Sequence, residues 1–246
     1  MHYRDVSGPN RKFTRIVRSL LIFTALNLSC FGTLAYGEKF VGKAVNFKGT
    51  LEYAEYHIVN YIKGKVSESQ TIYYDANNNK IGELISEYSH GLQFGSYDFR
   101  DIRAQYEDGA KVELDRIRLF RKKSPDANLE DKYILKEDNQ IVGQGFHQFI
   151  VHNLEQIAQG EIFQVRLVLP SRLDQYEFRI RKRKIEGDIL FIRLEVENWL
   201  LRLFAPNIDV DYDLKKGHLL RYEGISNLED TTGKHKKVII TYTYES

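Results

Sequence analysis

Cysteine, methionine, tryptophan and proline are scarce in this sequence: its 246 residues carry one Cys, one Met, one Trp and four Pro. The lone Cys30 excludes an internal disulfide and any zinc or iron–sulfur site built on several thiolates. There is no Gly-x-Ser-x-Gly elbow, which removes a serine-hydrolase signature, and no glycine-rich phosphate loop follows a strand-like run. His147 and His152 stand five apart, not the four that sets two ligands on one helical face, and His57, His90, His218 and His235 are scattered. These patterns predict no catalytic residues, no metal site and no cofactor.

The first 37 residues form a pattern of their own. Arg4, Arg11, Lys12, Arg15 and Arg18 precede a largely apolar run from Leu20 to Leu34, and small Ala35 and Gly37 stand before Glu38. A basic region, a short apolar core and a small-x-small site predict a secretory signal peptide over 1–37, cleaved after Gly37. The apolar run is shorter than the roughly 20 residues that span a bilayer, so a retained N-terminal anchor is the lesser alternative. Asn27-Leu28-Ser29 does not place Leu where a lipidated Cys30 requires it. Taking the leader's five basic residues and one acid from the chain's 36 and 34 leaves 31 and 33, a net charge of −2. That balance gives no electrostatic case for nucleic acid. The expectation is a periplasmic protein with residues 38–246 as a single domain.

The remaining chain reads mainly as strands. Glu38 to Gly49 is small and polar, an approach arm to the domain. Alternating or β-branched runs predict strands over Leu51–Ile62, Ser67–Tyr74, Ile81–Tyr88, Tyr97–Tyr106 and Val112–Phe120. Turns are expected at Asp75–Lys80 and Glu107–Ala110, and Lys122–Asp131 reads as an exposed loop. Phe146, Phe149, Ile150, Leu154 and Ile157 fall at helical spacing before Gly160, a C-cap glycine. Strand character returns from Ile162 on, apart from Asn198–Ala205, a short helix or bulged strand, and Val238–Tyr244 ends the sheet. The fold class is α+β and mainly antiparallel β: about ten strands in a curved sheet or half-open barrel around one amphipathic helix.

Three groups of residues invite a functional reading. Asp209, Asp211 and Asp213 share a strand face, but Leu214 and Leu220 stand where a calcium loop needs Gly and Glu, so a solvated face is preferred. Arg179, Arg181 and Arg183 share a face opposite Phe178 and Ile180; a solvated outer face competes with a strip for anionic headgroups. Trp199, Leu200, Leu203 and Phe204, with Phe149 on the helix, are the candidate ligand-binding residues, an apolar lining for an acyl chain or similar small molecule.

The signal peptide, the tyrosine-rich hairpins and strand–turn–strand units such as VDYDLKKGHLLRYEG (210–224) resemble uncharacterised exported bacterial proteins of the DUF3108-like kind. The layout is also similar to the periplasmic lipoprotein carriers, whose open barrel wraps around helices to hold acyl chains, although this chain carries fewer helices. The resemblance implies the architecture more than an activity; the absence of catalytic motifs and the apolar clusters at Phe149 and Trp199 lead to the expectation of a non-enzymatic periplasmic protein that binds a lipid or another apolar ligand. The alternatives are a packed structural module that contacts envelope proteins or the membrane surface, or a small outer-membrane barrel. Against the barrel stand Arg179–Lys184, the helix and the non-aromatic end Glu245-Ser246.

Overall fold

The computed structural model describes residues 35–198, 207–229 and 235–245. In chain order the elements are β1 (Ala35–Val45), β2 (Leu51–Ile62), β3 (Lys65–Tyr74), β4 (Lys80–Glu87), β5 (Ser96–Asp101), β6 (Tyr106–Val112), β7 (Arg116–Lys122), β8 (Glu130–Leu135) and β9 (Gln140–Val142). Then come α1 (Gly145–His152), α2 (Leu154–Gln159), β10 (Phe163–Leu169), a 3₁₀ turn at Pro170–Arg172, β11 (Asp174–Glu186), β12 (Ile189–Val196), β13 (Ile208–Asp213), β14 (Leu219–Glu229) and β15 (His235–Tyr244). All fifteen strands belong to one sheet, ordered 8-7-6-5-4-3-2-1-15-14-13-12-11-10-9. That is the chain order read around a ring. Each strand pairs with its sequence neighbours, β1 joins β15, and the one break falls between β8 and β9.

The sheet curls without closing. Leu228 on β14 lies 3.0 Å from the position of a side chain on Gly82 of β4, and the Glu229 N–H donates to Asp101 Oδ2 at 3.0 Å. Arg121 on β7 donates to the Ser171 carbonyl at 2.6 Å. At the break, β9 is buried on both faces. Ile141 packs with the helices and the β10–β13 wall, whereas Val142 and Val168 pack with Tyr97, Ile117 and Leu119 of the opposite half. The β9 edge is thus tucked beneath β5–β7. Gln140 fixes the join: its amide donates to the Leu135 carbonyl and to Gln175, and its oxygen accepts the Glu137 N–H. A buried amide with its partners supplied costs little and holds the two edges in one place.

Local chemistry explains where the expected elements shifted. The Asp75 turn forms as expected: Oδ1 accepts the N–H groups of Asn77 and Asn79, and Asn78 takes φ 64°. The expected turn at Glu107–Ala110 instead lies inside β6. There Gly109 serves close packing, since a Cβ would sit 2.3 Å from the Tyr97 carbonyl and 2.4 Å from the Phe120 ring. The chain turns between Asp101 and Tyr106, where Asp101 Oδ1 accepts from Arg103 and Ala104 and Gln105 takes φ 51°. The expected strand Tyr97–Tyr106 therefore ends at Asp101, the expected strand Val112–Phe120 begins only at Arg116, and β6 is a further strand between them. Glu38–Gly49 is no arm: β1 runs through it at the middle of the sheet. With β8 and β9, these account for fifteen strands in place of about ten. The expected helix is broken at Asn153, whose amide donates to the Phe149 carbonyl and so competes with helix continuation. Gly160 caps the second piece at φ 105° as expected.

Gly145, the first residue of α1, is set against the backbone of Gln93, whose carbonyl oxygen would lie 2.3 Å from an added Cβ. Alanine favours helices over glycine by about 1 kcal/mol, but overpacking against backbone costs about 1–3 kcal/mol. Gly145→Ala is therefore expected to lower unfolding stability by about 2 kcal/mol, read from the urea midpoint at constant m-value. A stabilised variant would show that α1 is not pinned there.

Candidate functional site

The two faces of the sheet treat their charges differently. On the outer face, Arg179 and Arg181 both reach Glu195, while Arg193 and Arg183 both reach Asp209. The register makes this ladder: Arg179 pairs with Glu195 across β11–β12, and Arg193 with Asp209 across β12–β13. Burial would raise Glu195 and Asp209, but the arginine hydrogen bonds outweigh it and hold both carboxyls below the ordinary range. Asp211 is raised, by burial, with Arg221 only partly offsetting it. The basic strip read from sequence is thus neutralised by the aspartates and glutamate beside it. The three aspartates are not brought together as a candidate cation site: no group of three or more candidate metal ligands occurs among the described residues.

The inner face is aliphatic over most of its extent and becomes aromatic and polar on β1, β2, β3 and β15. Residues Glu55 and His57 are two apart on β2 and share its buried face with Tyr53 and Val59. His57 pairs across the sheet with Phe40 on β1 and with Thr71 on β3. The Phe40 and His57 rings stack at 4.3 Å, Phe40 stacks on Tyr244 at 4.7 Å, and Tyr244 stacks on His218 at 3.7 Å. A ladder of four rings thus crosses the middle of the sheet.

Hydrogen bonds behind this ladder form one directed chain. His57 lies between Thr71 Oγ1 at 2.9 Å and Glu55 Oε2 at 3.0 Å. Gln144, just before α1, donates to Thr71 Oγ1 at 2.8 Å and accepts from Ser69 Oγ at 2.5 Å. Tyr242 donates to Glu55 Oε2 at 3.1 Å. One proton assignment uses every group: Ser69 to Gln144, Gln144 to Thr71, Thr71 to His57 Nδ1, and His57 Nε2–H to Glu55. Accessibility rises along the wall from Thr71, fully buried, through the side chains of Glu55 at 6% and His57 at 10%, to His218 at 25% and Glu38 at 31%. Glu38 accepts from Tyr61 at 3.0 Å and lies 3.3 Å from His218 Nε2, a second acid–histidine pair at the open end. A third histidine, His147 of α1, is half-buried 3.0 Å from the Tyr212 hydroxyl; its desolvation first, then the nearby His57 and His218, lower it to about 4.

Thr71, His57 and Glu55 have the connectivity of an acyl-transfer triad. Their environment does not serve that chemistry: Thr71 is fully buried, and Gln144 and His57 already occupy its hydroxyl. The arrangement suits recognition of a polar group in a dry aromatic wall.

Of the residues singled out from sequence, Phe149 is half-buried in the helix-side cluster and meets Phe163 edge-to-face at 5.5 Å. Trp199, Leu200, Leu203 and Phe204 lie outside the described residues. Glu55 and Thr71 went unremarked in the sequence, and His57 counted only as one scattered histidine. The signal was there: in YAEYHIV both polar residues occupy the positions that alternate with the buried Tyr53 and Val59. Comparison with protein-family models, with curated proteins and with solved structures finds no match for this chain.

Proposed function

We propose that this is an exported, non-enzymatic binding protein that takes one amphipathic small molecule on the concave face of its curled sheet. One observation carries the reading: a connected polar network is buried inside a wall that is otherwise aliphatic and aromatic, and it grades outward to an open end at Glu38 and His218. Buried polar networks are costly unless satisfied, and an aliphatic wall would pack more cheaply. Its position suits the polar end of a guest whose apolar part lies along the aromatic rings. The basic leader and apolar run before Glu38 support export, and cleavage after Gly37 would retain Glu38, Phe40 and the rest of the inner β1 face. Trp199 and Leu203 are proposed as further apolar contacts of the guest, as is Phe149.

The test is native mass spectrometry with extraction of bound lipids. It uses the chain expressed from its own start and purified from the envelope fraction without detergent. A co-purified small molecule at one per chain is the expected result. A clean unliganded mass, unchanged after incubation with total membrane lipid extract, would move the assignment to a packed envelope interaction module.

A further inference from the structure

Glu195, Asp209 and Asp211 on the outer face each have an arginine within 4 Å. Glu55 does not. It is only 5% exposed, yet its partners among the described residues are His57 and Tyr242, neither of them Lys or Arg. Both approach the same oxygen, Oε2, so among the described residues no group donates to Oε1. Nor is Oε1 among the sealed side-chain atoms without a partner, which are Ser86 Oγ, Arg121 Nε, Glu197 Oε2 and Asn207 Oδ1. Oε1 is thus not sealed off among the described residues.

Neither His57 nor Tyr242 brings the fixed positive charge of a lysine or arginine to Glu55. A carboxylate held in a low-dielectric wall without a cation is expensive, and a cationic guest removes that cost. The rings around it are of the matching kind. Phe40 stacks on His57, and Tyr242 meets both Phe40 and His57 edge-on at 5.9 and 5.7 Å. Aromatic faces next to a carboxylate attract an ammonium group and disfavour an anionic one.

We propose that Glu55 Oε1 is the recognition point for an organic ammonium group, so that the guest is an amphipathic amine. Glu38, at the open end with Tyr61, supplies a second negative group on the way in. The assignment rests on the binding reading above and narrows it to one chemical class.

The experiment uses three probes with the same twelve-carbon chain, dodecylammonium, dodecanoate and dodecanol, each titrated calorimetrically below its micelle concentration into the full, detergent-free protein. Dodecylammonium is expected to bind at least tenfold more tightly than either of the others. In Glu55→Gln its affinity is expected to fall at least tenfold while that of dodecanol stays within twofold. If all three bind equally, or dodecanoate binds best, the amine assignment is overturned and the binding reading stands. If none binds, the binding reading itself fails. The comparison on the unaltered protein decides the matter even where the variant does not fold.

Discussion

Asp108→Asn is expected to stabilise the protein by about 3 kcal/mol at pH 7.5 and to leave it nearly unchanged at pH 4. Asp108 lies on the buried face of β6, where the Tyr106 hydroxyl donates to it at 2.8 Å. Burial lifts its pKa to about 6, the Tyr106 hydrogen bond opposes that rise, and the charge of Glu229 adds to it. The folded state therefore holds the proton more tightly than the unfolded chain does. Below about pH 4 the group is protonated in both states and costs nothing. As pH rises through about 4 to 6, the unfolded chain releases its proton first and stability falls. Above about 6 the full difference is lost, about 3 kcal/mol for a pKa moved from 3.8 to about 6. Asparagine keeps an oxygen for Tyr106 and cannot ionise. Urea unfolding at pH 4 and pH 7.5 gives the two numbers. An equal gain at both values, or a loss at pH 7.5, would show that Asp108 is not carrying a buried charge.

The same position shows what the sequence revealed and what it hid. Alternation identified β2 and β3 because Tyr53, Val59 and Tyr73 recur with period two, and the Asp75 turn was legible because Asp and Asn act on their own backbone. β6 was not legible: Glu107-Asp108-Gly109-Ala110 has turn composition, and only the Phe120 ring and Tyr97 carbonyl, distant in sequence, explain why a glycine is needed in a strand. β1 read as a polar arm because Gly37, Gly42 and Lys43 dilute its pattern. Gly42 is small because the Tyr242 ring of β15 would lie 2.7 Å from a side chain there. β8 is exposed on both faces and carries no alternation at all. The inner site was half legible. Polar residues at buried-face positions of β2 could be seen, but their meeting with Thr71 and Gln144 depends on register and on the return of the chain before α1, and no local pattern encodes those.

His147 is the counterpart of Asp108, and its variant carries the second large expected effect. Burial and the neighbouring histidines lower it to about 4, so the folded state keeps it neutral while the unfolded chain protonates near 6.5. Its contribution is intact above about 6.5 and is lost as pH falls to about 4, by about 3 kcal/mol. Asp108 gains stability over the same fall in pH. The two slopes oppose each other, so the unaltered protein is expected to show a nearly level stability between pH 4 and 6.5. Each replacement should uncover the other slope. In Asp108→Asn stability drops by about 3 kcal/mol as pH falls through this window. In His147→Gln, which keeps a hydrogen-bonding group for Tyr212 but does not titrate, it rises by a similar amount. The double variant should return to a level profile. Tyr212 is buried without another described partner for its hydroxyl, so His147→Phe is expected to lose a further 1–3 kcal/mol at every pH through that unpaired group. Parallel profiles for the unaltered protein and both single variants would mean that neither group is held away from its ordinary pKa.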